Sequence, residues 1–184
     1  MPRRGTLGKA EDRAKIPTMT SVTIRPLTQA DRDRALSVIN AAARWYREFL
    51  LAEEYHDPEM TSAEFEAEAR RMTWYGAFVA GALVGVMGLE YVRDAALLRH
   101  AYVLPEHQRL GIGSRLREHL EAQVRGVRRL IVGTYAGNYK ARAALEKAGY
   151  RLSADSEAVL RAYYSIPEDR LQSSVTYEKA IGGP

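Results

Sequence analysis

The 184-residue sequence predicts an α/β fold with a single central, mixed and mostly antiparallel twisted sheet of about six to seven strands, flanked by helices. Two observations point to this class. Three consecutive strand-like runs are joined by tight turns, which is typical of antiparallel pairing. Strands then alternate with stretches of helical period, as in layered α/β folds. No internal repeat or second core is visible, so we expect a single domain over residues 21–181.

The N-terminal part of the chain predicts a tail followed by a short strand. Residues 1–20 are polar, carry five basic and two acidic groups, and show no apolar period. We interpret them as a flexible basic tail. Val22, Thr23 and Ile24 then form a β-branched run that Pro26 closes.

Two helix starts follow. Thr28 with Asp31, and Thr61 with Glu64, have the spacing of a capping box, in which each end of the motif satisfies a free amide of the other. Apolar residues recur at helical spacing after each start. They are Leu36, Ile39, Ala43 and Tyr46 in the first helix, and Phe65, Ala69 and Met72 in the second.

The middle of the chain is rich in strand-forming residues. Runs at 74–80 and 82–92 meet at Ala80-Gly81, which predicts a tight hairpin. Arg93-Asp94 forms the next turn, and a strand over 96–104 ends at a proline.

The C-terminal half alternates between helix and strand. Gly149 is the expected residue just past the end of one helix, where a left-handed backbone conformation is common. The pattern predicts helices at 113–125, 138–148 and near 156–164, and strands at 129–135 and 173–179.

Composition excludes several classes of function. The chain has no cysteine, so disulfides, thiolate metal sites and a cysteine nucleophile are excluded, and no HExxH zinc motif is present. We expect no metal. No apolar run approaches the roughly 18 residues that span a bilayer, and no apolar stretch follows Arg3 and Arg4 as in a secretory signal. We therefore expect a cytoplasmic protein without a membrane partner.

The formal charge of +4 is unevenly distributed. Residues 48–69 hold eight acidic side chains and no Lys or Arg, whereas residues 70–184 carry a net +6. A basic helix or a basic face with stacking aromatics is absent, so we expect no nucleic-acid partner.

A glycine loop between a strand and a helix is the most informative segment. It runs from Val103 to Leu116 and contains Gly111 and Gly113. The first amides of a helix lack partners, and glycines let an anion approach the backbone, so this loop fits a phosphate or pyrophosphate. The Walker and dinucleotide patterns both fail here. A strand–helix turn that merely requires glycine is the alternative.

Two motifs carry a family resemblance. Gln108-x-x-Gly111-x-Gly113, following a strand that ends in Val103, resembles the acetyl-CoA loop of GNAT-type N-acetyltransferases. The segment from Asn138 to Tyr150 is similar to their second signature, with Ala three residues after Asn and a Glu-Lys-x-Gly-aromatic ending.

The resemblance implies an acyl-CoA N-acyltransferase fold over about residues 21–180 and direct transfer of acetyl from acetyl-CoA to an amine. Pantetheine would lie between two splayed parallel strands that end near Val103 and Tyr135. Backbone groups around Tyr102, Val103 and Leu104 would pair with it, and Asn138 would orient it. The pyrophosphate would lie on the amides of Gln108, Arg109, Leu110, Gly111, Ile112, Gly113 and Ser114. Arg109, Arg115, Lys140 and Arg142 are candidates for the remaining phosphate charge, with a solvated surface role as the alternative for each.

The proton-transfer groups are less well defined. The family's usual general acid is a Tyr in the second motif, and Leu145 occupies that position. Tyr102, Tyr135 and Tyr139 are possible substitutes, and a solvent proton is another. For the general base we expect His100 or Glu90. In relatives the base often lies an even number of residues before the Val103 position. His100 lies an odd number before it and therefore on the opposite face of the strand, unless a β-bulge reverses the alternation.

The acceptor side is expected in the N-terminal helices and the acidic connection between them. Five aromatic residues occur near this window: Trp45, Tyr46, Phe49, Tyr55 and Trp74. Acidic and aromatic walls attract cations, so we expect a cationic amine on a small molecule or peptide, against the alternative of core aromatics beside a solvated acidic face. A non-catalytic acyl-CoA sensor on the same fold is the alternative function. Residues 155–170 either cover the site or form a homodimer contact.

Overall fold

A seven-stranded mixed sheet forms the centre of the computed structural model, which describes residues 21–182. The expected flexible tail over residues 1–20 lies outside these residues. The strand order is β1-β2-β3-β4-β5-β7-β6, and only β4 and β5 are parallel neighbours. The fold class expected from the sequence is therefore confirmed. The strands are β1 (Val22–Pro26), β2 (Thr73–Val79), β3 (Ala82–Val92), β4 (Ala95–Val103), β5 (Arg129–Tyr135), β6 (Arg151–Leu152) and β7 (Ser174–Ala180).

Helices cover both faces of the sheet. One core lies on the first face and is formed by α1, α2 and the aromatic residues that follow α1 in the chain. A second core, centred on α3, lies on the other face. A smaller cluster packs α5 against β4 and β5. None of the helices within residues 21–182 has the length and apolarity needed to cross a bilayer. The helices are α1 (Arg32–Ala43), α2 (Ser62–Ala69), α3 (Ile112–Gln123), α4 (Tyr139–Lys147), α5 (Ser156–Tyr163) and α6 (Glu168–Leu171).

Local sequence signals account for most of these boundaries. Ala80 and Gly81 have φ values of 49° and 81°, the paired positive angles of a two-residue hairpin turn between β2 and β3. The Thr61 side chain accepts a hydrogen bond from the Glu64 amide and caps α2. Gly149 follows α4 with a φ of 86°, as expected for a residue just beyond a helix end.

One expectation for the helices needs correction, and one short helix was not predicted. The helical face of Phe65, Ala69 and Met72 is wrong in part, because α2 ends at Ala69, which is exposed, and Met72 is buried from the following turn. The sequence also gave no indication of α6, which has only four residues and follows Pro167.

Parallel pairing between β4 and β5 stops partway along both strands. Ala95 to Leu98 pair with Arg129 to Val132, and the strands then separate. A β-bulge lies in the same stretch of β4, where Val86 pairs with Tyr102 but Gly88 pairs with Arg99. The extra residue includes His100, whose φ is 53°. The bulge therefore re-aims the side chains of β4 where the strands diverge.

A buried carboxylate fixes the chain between β1 and α1. Asp31 is 1% exposed, and its oxygens accept hydrogen bonds from Arg25, Arg34, and the amide and hydroxyl of Thr28 at 2.8–3.0 Å. The Arg25 guanidinium and then the Thr28 amide hold the pKa of Asp31 well below its usual range.

We predict that Asp31→Asn destabilises the protein by about 2 kcal/mol at pH 7, because the amide cannot accept the same set of charged hydrogen bonds. Urea unfolding measures the change. The pKa is depressed in the folded state, so this contribution is present above pH 3.8, the ordinary Asp value, and is lost as pH falls below it. The two proteins should converge in acid. Asp33→Asn, at an exposed position of α1, is the matched control. An equal loss in both variants would contradict the assignment.

Candidate active site

A cavity of about 660 Å³ opens where β4 and β5 separate. Its lining includes the loop before α3 on one side of the sheet and Tyr46 and Glu59 on the other. The cavity therefore passes between the two strands and connects both faces. Of the residues that the sequence predicts for the cofactor site, those that line the cavity are Tyr102, Val103, Gln108, Arg109, Gly111, Ile112, Gly113, Ser114 and Asn138.

The glycine loop presents a row of free amides at one end of this cavity. Gly111 precedes α3 with a φ of 77°. Within residues 21–182, the amides of residues 109–114 donate to no protein acceptor, and the first helical bond here runs from Arg115 to Gly111. The Gln108 side chain donates to the Val103 carbonyl at 3.0 Å and fastens the loop to the end of β4. Such a row of amides at a helix N-terminus is suited to an anion.

The two leucines named for this region do not line the cavity. Leu110 has a side chain that is 65% exposed. Leu104 is partly buried between the two main cores, and its amide donates to Val84.

The second motif begins at a buried asparagine. Asn138 lines the cavity and caps α4, its side-chain oxygen accepting from the Ala141 amide at 3.0 Å. Arg142 does not line the cavity, because its guanidinium donates to the Tyr177 hydroxyl and the Ala136 carbonyl. Arg142 thus holds the loop between β5 and α4, and its expected phosphate contact stays a prediction.

Leu145 is buried in the cavity lining, so a leucine stands where the resemblance places a proton donor. Three tyrosines are possible substitutes as proton donors. Tyr102 and Tyr135 line the cavity, whereas Tyr139 is 66% exposed and meets the Trp45 ring edge-on. Burial raises the pKa of Tyr135 to about 12 and holds that of Tyr102 well above its ordinary value. Both phenols therefore hold their protons at neutral pH.

The bulge brings His100 into the cavity lining. Its Nε2 lies 3.5 Å from a Glu68 oxygen on α2, and its ring lies 5.3 Å from the Trp74 ring. Burial lowers the pKa of His100, so the neutral imidazole is favoured at neutral pH. The condition attached to His100 at the sequence level, a bulge in β4, is present in the structure.

Glu90 lies behind the cavity and not in its lining. Its carboxylate binds Arg99 at 2.5 Å, and Arg99 also lies 3.0 Å from Glu68. Burial opposes ionisation of Glu68, but His100 and Arg99 outweigh it and lower its pKa to about 2. Glu90 is thus part of a buried ion-pair network that braces β4, and its expected role as general base stays a prediction.

Glu59 is the carboxylate that the sequence did not single out. It lines the cavity with a side chain that is 8% exposed, 3.3 Å from the Tyr102 hydroxyl and 3.5 Å from Arg170. Burial raises the pKa of Glu59, while Arg170 and Tyr102 oppose that shift. Tyr46 and Tyr135 complete the wall around it.

The acidic window contributes little else to the cavity. Among the described residues, Glu59 is the one Asp or Glu in its lining, and five basic side chains accompany it: Arg99, Arg109, Arg117, Lys140 and Arg170. Glu64 caps α2 and Glu68 binds Arg99. The sequence could locate the window, but only the fold selects which carboxylate points inward.

The aromatic residues near the window also separate into two groups. Trp45 and Tyr46 line the cavity, and the Lys140 ammonium lies 4.1 Å from the Trp45 ring centre. Trp74 stacks on Phe65 in the core. Trp45 and Tyr46 thus form part of the cavity wall, whereas Trp74 is a core aromatic residue.

Comparison with known proteins supports the same fold. The GNAT acetyltransferase family matches residues 38–150, which include both the glycine loop and the Asn138 motif. Comparison with curated protein sequences gives no match.

Solved structures resemble the whole described chain. The PaiA N-acetyltransferase of Thermoplasma acidophilum in complex with coenzyme A is 19% identical, with a TM-score of 0.65 over 88% of this chain and 99% of that one. The ribosomal-protein-S18-alanine N-acetyltransferase of Escherichia coli is 22% identical, with a TM-score of 0.65 over 89% and 96%. These likenesses show a shared fold. Together with the family match over more than half of its length, they establish that this chain belongs to the GNAT acetyltransferase family.

Proposed function

We propose that this protein transfers the acetyl group of acetyl-CoA directly to an amine. The observation that carries the proposal is the continuity of the cavity, which joins the free amides of the glycine loop to the buried side chain of Glu59 on the opposite face of the sheet. An anionic carrier held at one end would thus present its reactive group to a proton acceptor at the other.

The residues present fit acetyl-CoA as a substrate. Six consecutive amides at residues 109–114 suit a pyrophosphate, and Arg109 and Arg117 supply positive charge in the same part of the lining. The edges of β4 and β5 that face each other beyond Leu98 and Val132 have no strand partner. Their peptide groups, around Tyr102 and Val103, can therefore pair with the amide groups of pantetheine.

The reaction forms a C–N bond and breaks a C–S bond. A cationic acceptor loses one proton to become a nucleophile and a second as the amide forms, and the leaving sulfur gains one, so one proton is released to solvent overall. We assign the first proton to Glu59. Its raised pKa makes it a stronger base than an exposed carboxylate, and it lies in the cavity where Glu90 does not. His100, neutral and also in the lining, is the alternative acceptor of this proton.

Leu145 cannot donate the proton that the sulfur requires. A thiolate is a good leaving group, and its ordinary pKa of about 8.5 allows water to supply that proton at neutral pH. The tyrosines of the lining keep their protons and act as hydrogen-bond donors to the reacting groups.

The acceptor we propose is a cationic amine, because Glu59 is the one carboxylate in the described part of the lining and can pair with a cation. The ionised Glu59 carboxylate attracts an ammonium group, and the Tyr46 ring lies in the same lining. The alternative function, a non-catalytic acyl-CoA sensor, rests on Leu145. A protein that binds acyl-CoA but lacks a general acid for the leaving sulfur need not catalyse transfer of the acyl group.

We predict that acetyl-CoA releases free thiol only when an amine is added. The panel should include a diamine, an amino acid, a peptide with a free N-terminus and a neutral alcohol, with thiol measured colorimetrically. Turnover with the cationic amines supports the transferase. Calorimetric binding of acetyl-CoA without thiol release from any acceptor would favour the sensor instead.

We predict that Gly113→Asp weakens acetyl-CoA binding by about 10- to 100-fold, because it places a carboxylate against the pyrophosphate. The fold should tolerate the change, since a Cβ at Gly113 would meet only Val103, at 3.8 Å. Gln123→Glu adds the same charge at the far end of α3 and is the control. Calorimetry measures affinity and thermal unfolding measures stability. Unchanged affinity in Gly113→Asp would exclude the loop as the anion site.

We predict that Glu59→Gln lowers kcat by about 100-fold, because the amide cannot accept the acceptor's proton. In the wild type, kcat should fall as pH drops through the pKa of Glu59, which lies above its ordinary 4.5. The variant should lack this acid limb. Glu53→Gln, exposed and outside the cavity, controls for charge. A full kcat and an unchanged pH profile in Glu59→Gln would show that Glu59 is not the general base. A loss of about 100-fold in His100→Gln instead would assign that role to His100.

A further inference from the structure

One tyrosine closes the inner end of the gap between β4 and β5. Tyr164 follows α5, its amide donating to the Leu160 carbonyl at 2.9 Å. Its ring packs with Leu97 of β4 and Ile131 of β5, and it lines the cavity. Tyr164 therefore stands where the pairing of the two strands stops.

A glycine on β5 makes room for this ring. A Cβ added at Gly133 would lie 3.2 Å from Tyr164 Cζ and 3.3 Å from its hydroxyl oxygen. Contacts of this length are tighter than a relaxed side chain allows, so a larger residue at 133 would displace the ring. Gly133 is the first residue of β5 beyond the last pair with β4, Leu98 with Val132.

Tyr164 is held from the β4 side as well. The Arg99 guanidinium lies 5.5 Å from its ring centre, and Arg99 is fixed by its ion pairs with Glu90 and Glu68. Leu160, fully buried one turn earlier, also lines the cavity and supports the ring. A side chain packed in this way on several sides is a fixed wall.

We propose that Tyr164 sets the length of the acyl group that this protein accepts. The inference rests on the proposed function: with the pyrophosphate at the glycine loop and pantetheine along the open strand edges, the acyl group reaches the inner end of the gap. The Tyr164 ring occupies the space that a longer chain would need. Acetyl-CoA is accepted on this account, and butyryl-CoA is rejected by the ring.

The test compares acetyl-CoA with butyryl-CoA in the full chain and in Tyr164→Ala. Calorimetry gives both dissociation constants, and thiol release with an active amine gives both kcat/KM values. A pocket discriminates by about 10-fold or more for each methylene that it excludes. We expect Tyr164→Ala to shift the butyryl-to-acetyl ratio by at least about 10-fold in favour of butyryl.

Three further variants keep the test decisive. Tyr164→Leu fills the core with an apolar side chain but is shorter, and it should shift the ratio in the same direction if Tyr164→Ala does not fold. Tyr164→Phe keeps the ring and should keep the wild-type ratio. Tyr163→Ala removes the adjacent tyrosine, which binds Asp94 and Arg129 outside the cavity lining, and should also keep it.

The outcomes separate this inference from the proposed function. Folded Tyr164→Ala or Tyr164→Leu with the wild-type ratio would overturn the role of Tyr164, and so would an equal shift in Tyr164→Phe. If the wild type binds acetyl-CoA but releases no thiol with any amine, the transferase proposal fails and the ratio of dissociation constants still tests Tyr164. A wild type that binds neither acyl-CoA overturns both.

Discussion

The incomplete pairing of β4 with β5 is the constraint on which the site depends. Two parallel neighbours that paired along their whole length would close the sheet, and the cavity would not exist. Pairing instead ends at Leu98 and Val132, and the facing peptide groups beyond that point are left for another partner. Buried peptide groups need hydrogen bonds. A ligand with its own amides is therefore complementary to the gap in a way that a purely apolar molecule is not.

Buried charge fixes β4 at its bulge, next to the point where it leaves β5. The bulge at His100 turns Arg99 and His100 toward α2, where Glu68 meets both. Removing one partner from such a network leaves an uncompensated buried charge, which is strongly destabilising. His100 and Arg99 lower the pKa of Glu68 to about 2, against the opposing effect of burial. The network thus holds a bent strand in one position, and the gap has a defined shape.

Elements with a local signal were predictable from the sequence, whereas contacts between distant segments were not. The turn at Ala80 and Gly81 and the capping box at Thr61 are determined by residues close together in the sequence. Strand β5 also has the bounds that the sequence predicts. Glu59 reaches the cavity from an irregular connection, and no periodicity distinguishes it from its acidic neighbours. Tyr164 depends on Gly133, 31 positions earlier in the chain. Strand parity misplaced the β4 side chains because a bulge has no reliable signature in a single sequence.

Charge inside the cavity also favours binding of the proposed acceptor over binding of its acetylated product. The cationic amine that we propose as acceptor would be drawn to Glu59, whose carboxylate is buried and therefore weakly screened by solvent. Acetylation converts that amine into a neutral amide, which can no longer form an ion pair with the carboxylate. The proton that the amine gives up is accepted by the same group and must then pass to solvent. Arg170, 3.5 Å away, favours this second step because it stabilises the ionised form of Glu59. One carboxylate beside one guanidinium can thus attract the acceptor, take its proton and weaken the hold on the product.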